Sequence, residues 1–297
     1  HAAPNCTPSR VMLMTGKYNF RDYTGWRVLD TSQYTFANLL KDEGYQTMIA
    51  GKWQLDGGKA AMEKFGFRKQ RVFDPISSID ENDANQFRYK NPHLYQNGIF
   101  MPDTASRSYY SEDLFVSYIT NFIDDNADRP FFIYYPLSLC HTPFSPSPDD
   151  PDYDAWNPWT SSPSKKYFPG MVSYMDKVVG QIVNKIEKAG LTNNTIIIFA
   201  GDNGTPNAIV SSFNGIQVPG SKGQTTEYGT HVPLIVKWPG KIAAGSVNNN
   251  LVDFPDFLPT MAEMAGTSVP PKFGTTDGIS FYSQLTGGEG TVRTYSF

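Results

Sequence analysis

Cysteine is scarce in this chain: Cys6 and Cys140 are the only two among 297 residues. Two thiols can close one disulfide, but they cannot build the cysteine framework of a small secreted scaffold. Basic character is equally thin. Lys and Arg number 25 against 29 Asp and Glu, the formal net charge is -4, and no basic run interrupts the chain. That balance excludes the electrostatic footprint of a nucleic-acid binder. No apolar stretch approaches the roughly 18–20 residues that a membrane-crossing helix needs. The chain does not open on Met, and His1-Ala2-Ala3-Pro4 does not read as a natural start. The lack of a targeting segment therefore carries no information on location.

What is present suits a large α/β domain. Hydrophobic residues make up 39% and charged residues 18%, and α/β domains of roughly 200–250 residues or more are common. Aromatics are abundant at 14%, with 17 Tyr and 20 Phe. Most are expected in the core, although exposed aromatics also serve carbohydrate binding. Apolar runs at 45–50, 131–137, 195–200 and 232–238 read as strands. Continuous apolar strands fit a sheet covered on both faces. Helical patterns at 34–43, 111–124 and 171–189 precede the first three strands, and 254–265 follows the fourth; Gly190 and Gly266 are plausible C-terminal caps. This alternation predicts a mostly parallel, doubly wound sheet. The polar segment 74–108 and the Pro- and Ser-rich segment 142–169 interrupt it. Long loops of this kind are commonly functional, and both are expected near a substrate mouth.

Chemistry in open α/β sheets gathers at the carboxyl ends of the strands, and four motifs fall at strand junctions. Lys52 and Gln54 follow the first strand. Cys140-His141-Thr142-Pro143 follows the second. Asp202-Asn203-Gly204 follows the third. Gly220-Ser221-Lys222-Gly223 lies shortly before the fourth. Each has an ordinary reading: a solvated lysine, a structural histidine, a common turn. A fifth motif, Asn5-Cys6-Thr7-Pro8-Ser9-Arg10, opens a helix, because Pro suits the first helical turn. A helix start favours an anion through its unpaired N–H groups, and Arg10 lies one turn into it. A buried structural cysteine is the competing reading of Cys6.

Cys6-Thr7-Pro8-Ser9-Arg10, followed by Thr15-Gly16, resembles the maturation motif of type I sulfatases, members of the alkaline phosphatase superfamily. Further resemblance lies in Gly44-Tyr45-Gln46-Thr47 with Gly51-Lys52-Trp53-Gln54, in Val232-Pro233-Leu234 with Trp238-Pro239-Gly240, and in Asp277-Gly278. It implies an alkaline-phosphatase-like α/β/α sandwich with a mostly parallel central sheet. It implies that Cys6 is oxidised to formylglycine by a formylglycine-generating enzyme. The hydrated aldehyde then attacks sulfur with one hydroxyl and expels sulfate through the other. Arg10 orients this group, Lys52 and Lys222 bind sulfate, and His141 protonates the leaving oxygen. Asp202, Asn203 and modified Cys6 are expected to ligate calcium.

Gln54 stands where the family usually has His, which leaves a positioning role and removes proton exchange near neutral pH. Tyr228 and His231 depart from the usual Gly and Arg, and His231 is expected to be structural. The resemblance implies a catalytic domain at 1–292, lacking the family's N-terminal strand and its Asp-Asp metal ligands. Residues 293–297 would begin a truncated C-terminal subdomain. Calcium binding and activity of this stretch alone are expected to be weak. The expected substrate is a sulfated carbohydrate or an aryl sulfate, and the expected location is periplasmic or secreted. A phosphonate or phosphate monoester hydrolase, or a degenerate sulfated-glycan binding protein, are the alternatives.

Overall fold

The computed structural model describes residues 1–23, 25–73 and 88–297. The chain divides into two compact units. One comprises Tyr45–Glu63 with Phe67–Gly190, and the other His1–Gly44, Lys64–Gly66 and Leu191–Phe297.

The first unit is built on a five-stranded sheet. Its strands are β1 (Gln46–Lys52), β2 (Lys69–Phe73), β3 (Tyr95–Gln96), β4 (Ile99–Phe100) and β5 (Phe131–Tyr134), in the order β4-β3-β2-β1-β5. β1 pairs in parallel with β2 and with β5, while the short β3 and β4 add antiparallel. Every residue of β1 after Gln46 is buried, as expected for the central strand of a sheet covered on both faces. The Ser111–Asp125 helix packs on β1. Its buried residues Phe115, Val116, Ile119, Phe122 and Ile123 recur at helical spacing. The Phe168–Lys188 helix lies against it, burying Met171, Tyr174, Val178 and Ile186. Each such side chain contributes roughly 1.5–3 kcal/mol when taken fully out of water. Gly190, at φ 71, supplies the left-handed residue after this helix.

The second unit holds β6 (Ile197–Ala200) and β9 (Leu234–Lys237), which pair antiparallel. It also holds a hairpin of β7 (Val210–Phe213) and β8 (Ile216–Pro219). The hairpin turns on Asn214-Gly215, both with positive φ, the pair favoured where the turn twist must match the strands. The Cys6–Thr15 helix packs on the turn at Phe254–Asp256 and on the Phe257–Met264 helix. A Cβ at Gly16 would lie 2.7 Å from the Leu258 side chain, so this helix end can approach only as glycine. Thr35 and Asn38 cap the Phe36–Asp42 helix reciprocally.

A buried polar hub ties this unit together. Arg293 Nε donates to both carboxylate oxygens of Asp256, at 3.1 and 2.9 Å, and Arg293 Nη2 donates to the carbonyl of Asp277 at 2.7 Å. Arg293 Nη1 also donates to the Tyr18 hydroxyl, which donates in turn to Asp253 Oδ2 at 3.0 Å. The paired side chains of Arg293 and Asp256 are only 1% and 2% exposed.

The four sequence-predicted strands are present at 46–52, 131–134, 197–200 and 234–237; the first runs two residues further than expected and the other three are shorter. The antiparallel pairing of β6 with β9 was not foreseen, since alternation of elements does not encode strand direction. The third predicted helix begins three residues earlier, at Phe168, because Pro169 is admissible in a first turn. Of the irregular segment 74–108, residues 74–87 lie outside the described residues. The remainder carries the β3–β4 hairpin, so irregularity there is a correction to make. Its turn residues Asn97 and Gly98 both take positive φ.

Two outcomes follow from these buried charges. Asp256→Ala leaves the Arg293 guanidinium buried without its carboxylate, a change that costs about 3–5 kcal/mol; urea denaturation should read that loss. Glu112 is fully buried. It accepts the Ser138 N–H at 3.0 Å and the Tyr135 hydroxyl proton. Burial pushes its pKa up to about 7, partly offset by those two hydrogen bonds and reinforced by nearby Asp113. The native state then keeps a proton that the unfolded chain loses near 4.5. Stability should therefore fall as pH rises from about 4.5 to about 7, by about 3 kcal/mol. Denaturation at pH 5 and pH 8 should show this difference, and Glu112→Gln should abolish it.

Candidate active site

Cys6 is the first residue of its helix and is buried. Asn5 precedes it in extended conformation (φ −128, ψ 147), and the Asn5 carbonyl accepts the first helical bond from Ser9 N–H at 3.0 Å. Pro8 falls in the first turn, where its missing N–H leaves no gap in the ladder. Arg10 is 3% exposed, and its Nε donates back to the Cys6 carbonyl at 3.2 Å. The guanidinium charge and the positive end of the helix thus both act near Cys6.

Backbone hydrogen bonds gather two further loops around this helix start. Gly223 N–H donates to the Pro4 carbonyl at 2.9 Å, which seats the Lys222 loop on the Cys6 segment. Lys222 N–H donates to Thr205 O at 3.1 Å, and Gly204 N–H to Gly229 O at 2.9 Å, which joins the Asp202-Asn203 loop to the same assembly. A Cβ at Gly204 would stand 2.1 Å from the Tyr228 carbonyl oxygen, so the two loops close only around glycine. Cys6, Arg10, Asp202, Asn203 and Lys222 therefore belong to one connected set of loops.

Asn203 Nδ2 donates to Gly204 O at 2.8 Å, while its Oδ1 is buried without a hydrogen-bond partner. An orphaned buried amide oxygen costs free energy unless something else satisfies it. Beside the Asp202 carboxylate it is a donor of the type that a hard cation takes. Calcium accepts 6–8 oxygens, so the Asp202 carboxylate and the Asn203 amide oxygen fit it in donor chemistry and would supply part of its shell. His231 is exposed, pairs with Glu227 four residues earlier, and stacks on the His1 ring at 5.1 Å.

The other unit carries Lys52, Gln54 and His141. The parallel pairing of β1 and β5 puts both carboxyl ends on one edge of the sheet. Lys52 ends β1, is 4% exposed, and donates its N–H to Pro136 O at 2.8 Å. Its burial removes the reading of an ordinary solvated lysine. Gly51, at φ 111, leaves no space for a side chain: a Cβ there would lie 2.3 Å from Pro136 O. Gln54 is half-buried and takes a positive φ of 50. His141 is half-buried in the loop after β5. Its Nδ1 lies 2.7 Å from the Thr142 carbonyl. A carbonyl only accepts, so Nδ1 carries the proton, and Nε2 is the position at which the neutral ring gains one.

Cys6 and Cys140 are not disulfide-bonded. Burial, then the charge of Glu112, pushes the Cys140 thiol up to about 12, which makes it a poor nucleophile. Sequence reading passed over Glu112 and Tyr89, which hold the His141 loop. A signal existed for the first: Glu112 falls in helical phase with Phe115 and Ile119, on the face that is otherwise apolar.

The sulfatase family model matches residues 1–267. Arylsulfatase G of Rattus norvegicus is 27% identical over 336 residues, covering 96% of this chain and 60% of its own length. N-acetylgalactosamine-6-sulfatase of Canis lupus familiaris is 27% identical over 335 residues, covering 98% of this chain and 59% of its own. The chain thus spans about 60% of the length of these curated relatives. The solved structure of Ps i-CgsB in complex with k-i-k-neocarrahexaose superposes with a TM-score of 0.75 at 26% identity, covering 97% of this chain and 67% of that one. The fold is of the alkaline-phosphatase-like α/β class, in agreement with this likeness. With its family model spanning most of its length, the chain belongs to the sulfatase family.

Proposed function

We propose that this chain carries the catalytic part of a sulfuric ester hydrolase acting on sulfate monoesters, with residues 1–292 as the catalytic domain. One observation carries the reading. Cys6 opens a buried helix against Arg10, the loop bearing Lys222 is hydrogen-bonded to that segment, and the Asp202-Asn203 loop is hydrogen-bonded in turn to the Lys222 loop. Oxidised to formylglycine by a generating enzyme and hydrated, Cys6 supplies a hydroxyl nucleophile and a second hydroxyl whose deprotonation releases sulfate.

The chain's own residues do the rest. Arg10 holds this group in orientation and offsets its negative charge. Lys222 and Lys52 bind sulfate oxygens as point charges. His141 delivers a proton from Nε2 to the ester oxygen, which matters most when the leaving group is a poorly leaving alkoxide. Gln54 donates a hydrogen bond to the substrate. Asp202, Asn203 and modified Cys6 would hold calcium, which would neutralise sulfate charge when bound.

A sulfated carbohydrate is the preferred substrate class. A relative named for N-acetylgalactosamine-6-sulfate hydrolysis and a structural neighbour bound to a neocarrahexaose support it. Exposed Trp159 in the 142–169 segment supplies a ring of the kind sugars stack upon. No helix among the described residues is long and apolar enough to cross a membrane; a periplasmic or secreted location remains the proposal.

Kinetics of the full-length, matured protein on matched sulfate and phosphonate esters test the reading. Sulfate esters should be preferred, and Cys6→Ala should abolish turnover; preference for the phosphonate would move the assignment to phosphonate hydrolysis. Lys222→Ala should lower kcat by about 10²–10³-fold, as for loss of a preorganised charge. Asn203→Ala should weaken calcium binding about tenfold or more, equivalent to about 1.4 kcal/mol, read by calorimetric titration. Unchanged affinity would remove Asn203 from the ligand set.

A further inference from the structure

The loop that presents His141 is fastened to the interior by two side chains outside the proposed chemistry. Ser138 is the junction. Its N–H donates to Glu112 Oε1 at 3.0 Å, and its carbonyl accepts the His141 N–H at 3.0 Å and the Tyr89 hydroxyl at 2.9 Å. The Tyr89 hydroxyl also lies 2.6 Å from the His141 carbonyl, so its one proton is shared between the two carbonyls at either end of the turn. Glu112 further accepts the Tyr135 hydroxyl proton at the end of β5. Tyr89 is 2% exposed, and Glu112 and Ser138 are 0% and 1% exposed.

The consequence for His141 is specific. Its backbone is held at the N–H by Ser138 O and at the carbonyl by Tyr89. Its ring is engaged by the Nδ1–H bond to Thr142 O, one peptide further on. The direction of Nε2 therefore depends on the path of residues 138–142. That path is pinned to the Ser111–Asp125 helix by Glu112 and to Tyr89, which stacks on Tyr110. A turn held only by its internal 138–141 hydrogen bond would leave the ring several orientations. General acid catalysis depends on placing the proton within hydrogen-bond reach of the leaving oxygen.

We propose that Glu112 and Tyr89 are positioning residues for His141, fixing the tautomer and direction of its ring by clamping Ser138 and the His141 carbonyl. The role of His141 as acid rests on the sulfatase reading; the clamp itself does not.

The test has two arms on the full-length protein. In the first, histidine-labelled protein is followed by NMR, with His141→Ala identifying the His141 signals. Wild type should show neutral His141 protonated on Nδ1. Tyr89→Phe and Glu112→Leu should shift it toward a mixture of tautomers. Glu112→Gln, which keeps an acceptor for Ser138 N–H, should retain the wild-type pattern. Unchanged His141 signals in both disruptive variants, with circular dichroism confirming that they fold, would overturn the proposal. Global unfolding of Glu112→Leu leaves the decision to Tyr89→Phe, which deletes only a hydroxyl.

In the second arm, kcat and KM are measured on an alkyl sulfate and on an activated aryl sulfate. A positioned acid contributes about 10²–10⁴-fold. Tyr89→Phe should therefore lower kcat on the alkyl ester by roughly 10–100-fold, with KM nearly constant and the aryl ester little affected. Equal losses on both esters would mean general structural damage and overturn the proposal. A wild type inactive on both esters would overturn the sulfatase reading, while the NMR arm would still decide the clamp.

Discussion

The hydrogen bond from Gly223 N–H to the Pro4 carbonyl is the contact on which the proposed chemistry depends. Without it, Cys6 is a thiol at a helix start and Lys222 is a lysine on a distant loop. With it, the two segments meet across the 218 residues that separate Pro4 from Gly223. Two more backbone bonds, Lys222 to Thr205 and Gly204 to Gly229, extend the closure to the Asp202-Asn203 loop. These bonds use main-chain groups, so they leave the side chains available for charge and coordination. The arrangement tolerates no bulk at Gly204, where a carbonyl stands within 2.1 Å of any added Cβ.

The two units stabilise their functional loops by different means. In the unit containing Cys6, a buried Arg293–Asp256 pair joins Tyr18, Asp253 and Asp277 and fixes the segments on which the Cys6–Thr15 helix packs. The charge there is compensated, since a guanidinium meets a carboxylate with its remaining hydrogen bonds satisfied. In the unit containing Lys52 and His141, Glu112 is buried without a cationic partner among its hydrogen bonds to Ser138 and Tyr135, and burial raises its pKa to about 7 although those bonds partly offset the rise. The Glu112 hub is therefore sensitive to pH near neutrality.

Much of this was legible in the sequence. The Cys-Thr-Pro-Ser-Arg run marks the helix start by Pro8 alone and the family by its whole pattern. The apolar runs at 45–50, 131–137 and 195–200 located the strands that precede the candidate motifs, because continuous apolar segments have few other uses. Strand direction was not legible, and β6 and β9 pair antiparallel for reasons of tertiary packing. Sequence reading passed over the Asn214-Gly215 hairpin, whose two-residue turn rule marks it but whose flanking strands are short and exposed. Lys52 could not be recognised as buried from composition, since burial of a lysine is decided by neighbours distant in sequence. The clamp on Ser138 was hidden for the same reason: Tyr89, Glu112 and Ser138 are brought together only by folding.

The central claim is that Cys6 is the site of the nucleophile, and peptide mass spectrometry tests it most directly. Full-length protein is produced together with a formylglycine-generating enzyme, and the peptide spanning Cys6 to Arg10 is analysed. An aldehyde in place of the thiol at Cys6 is the predicted result. An unmodified Cys6 under conditions that convert a control sulfatase would contradict the account.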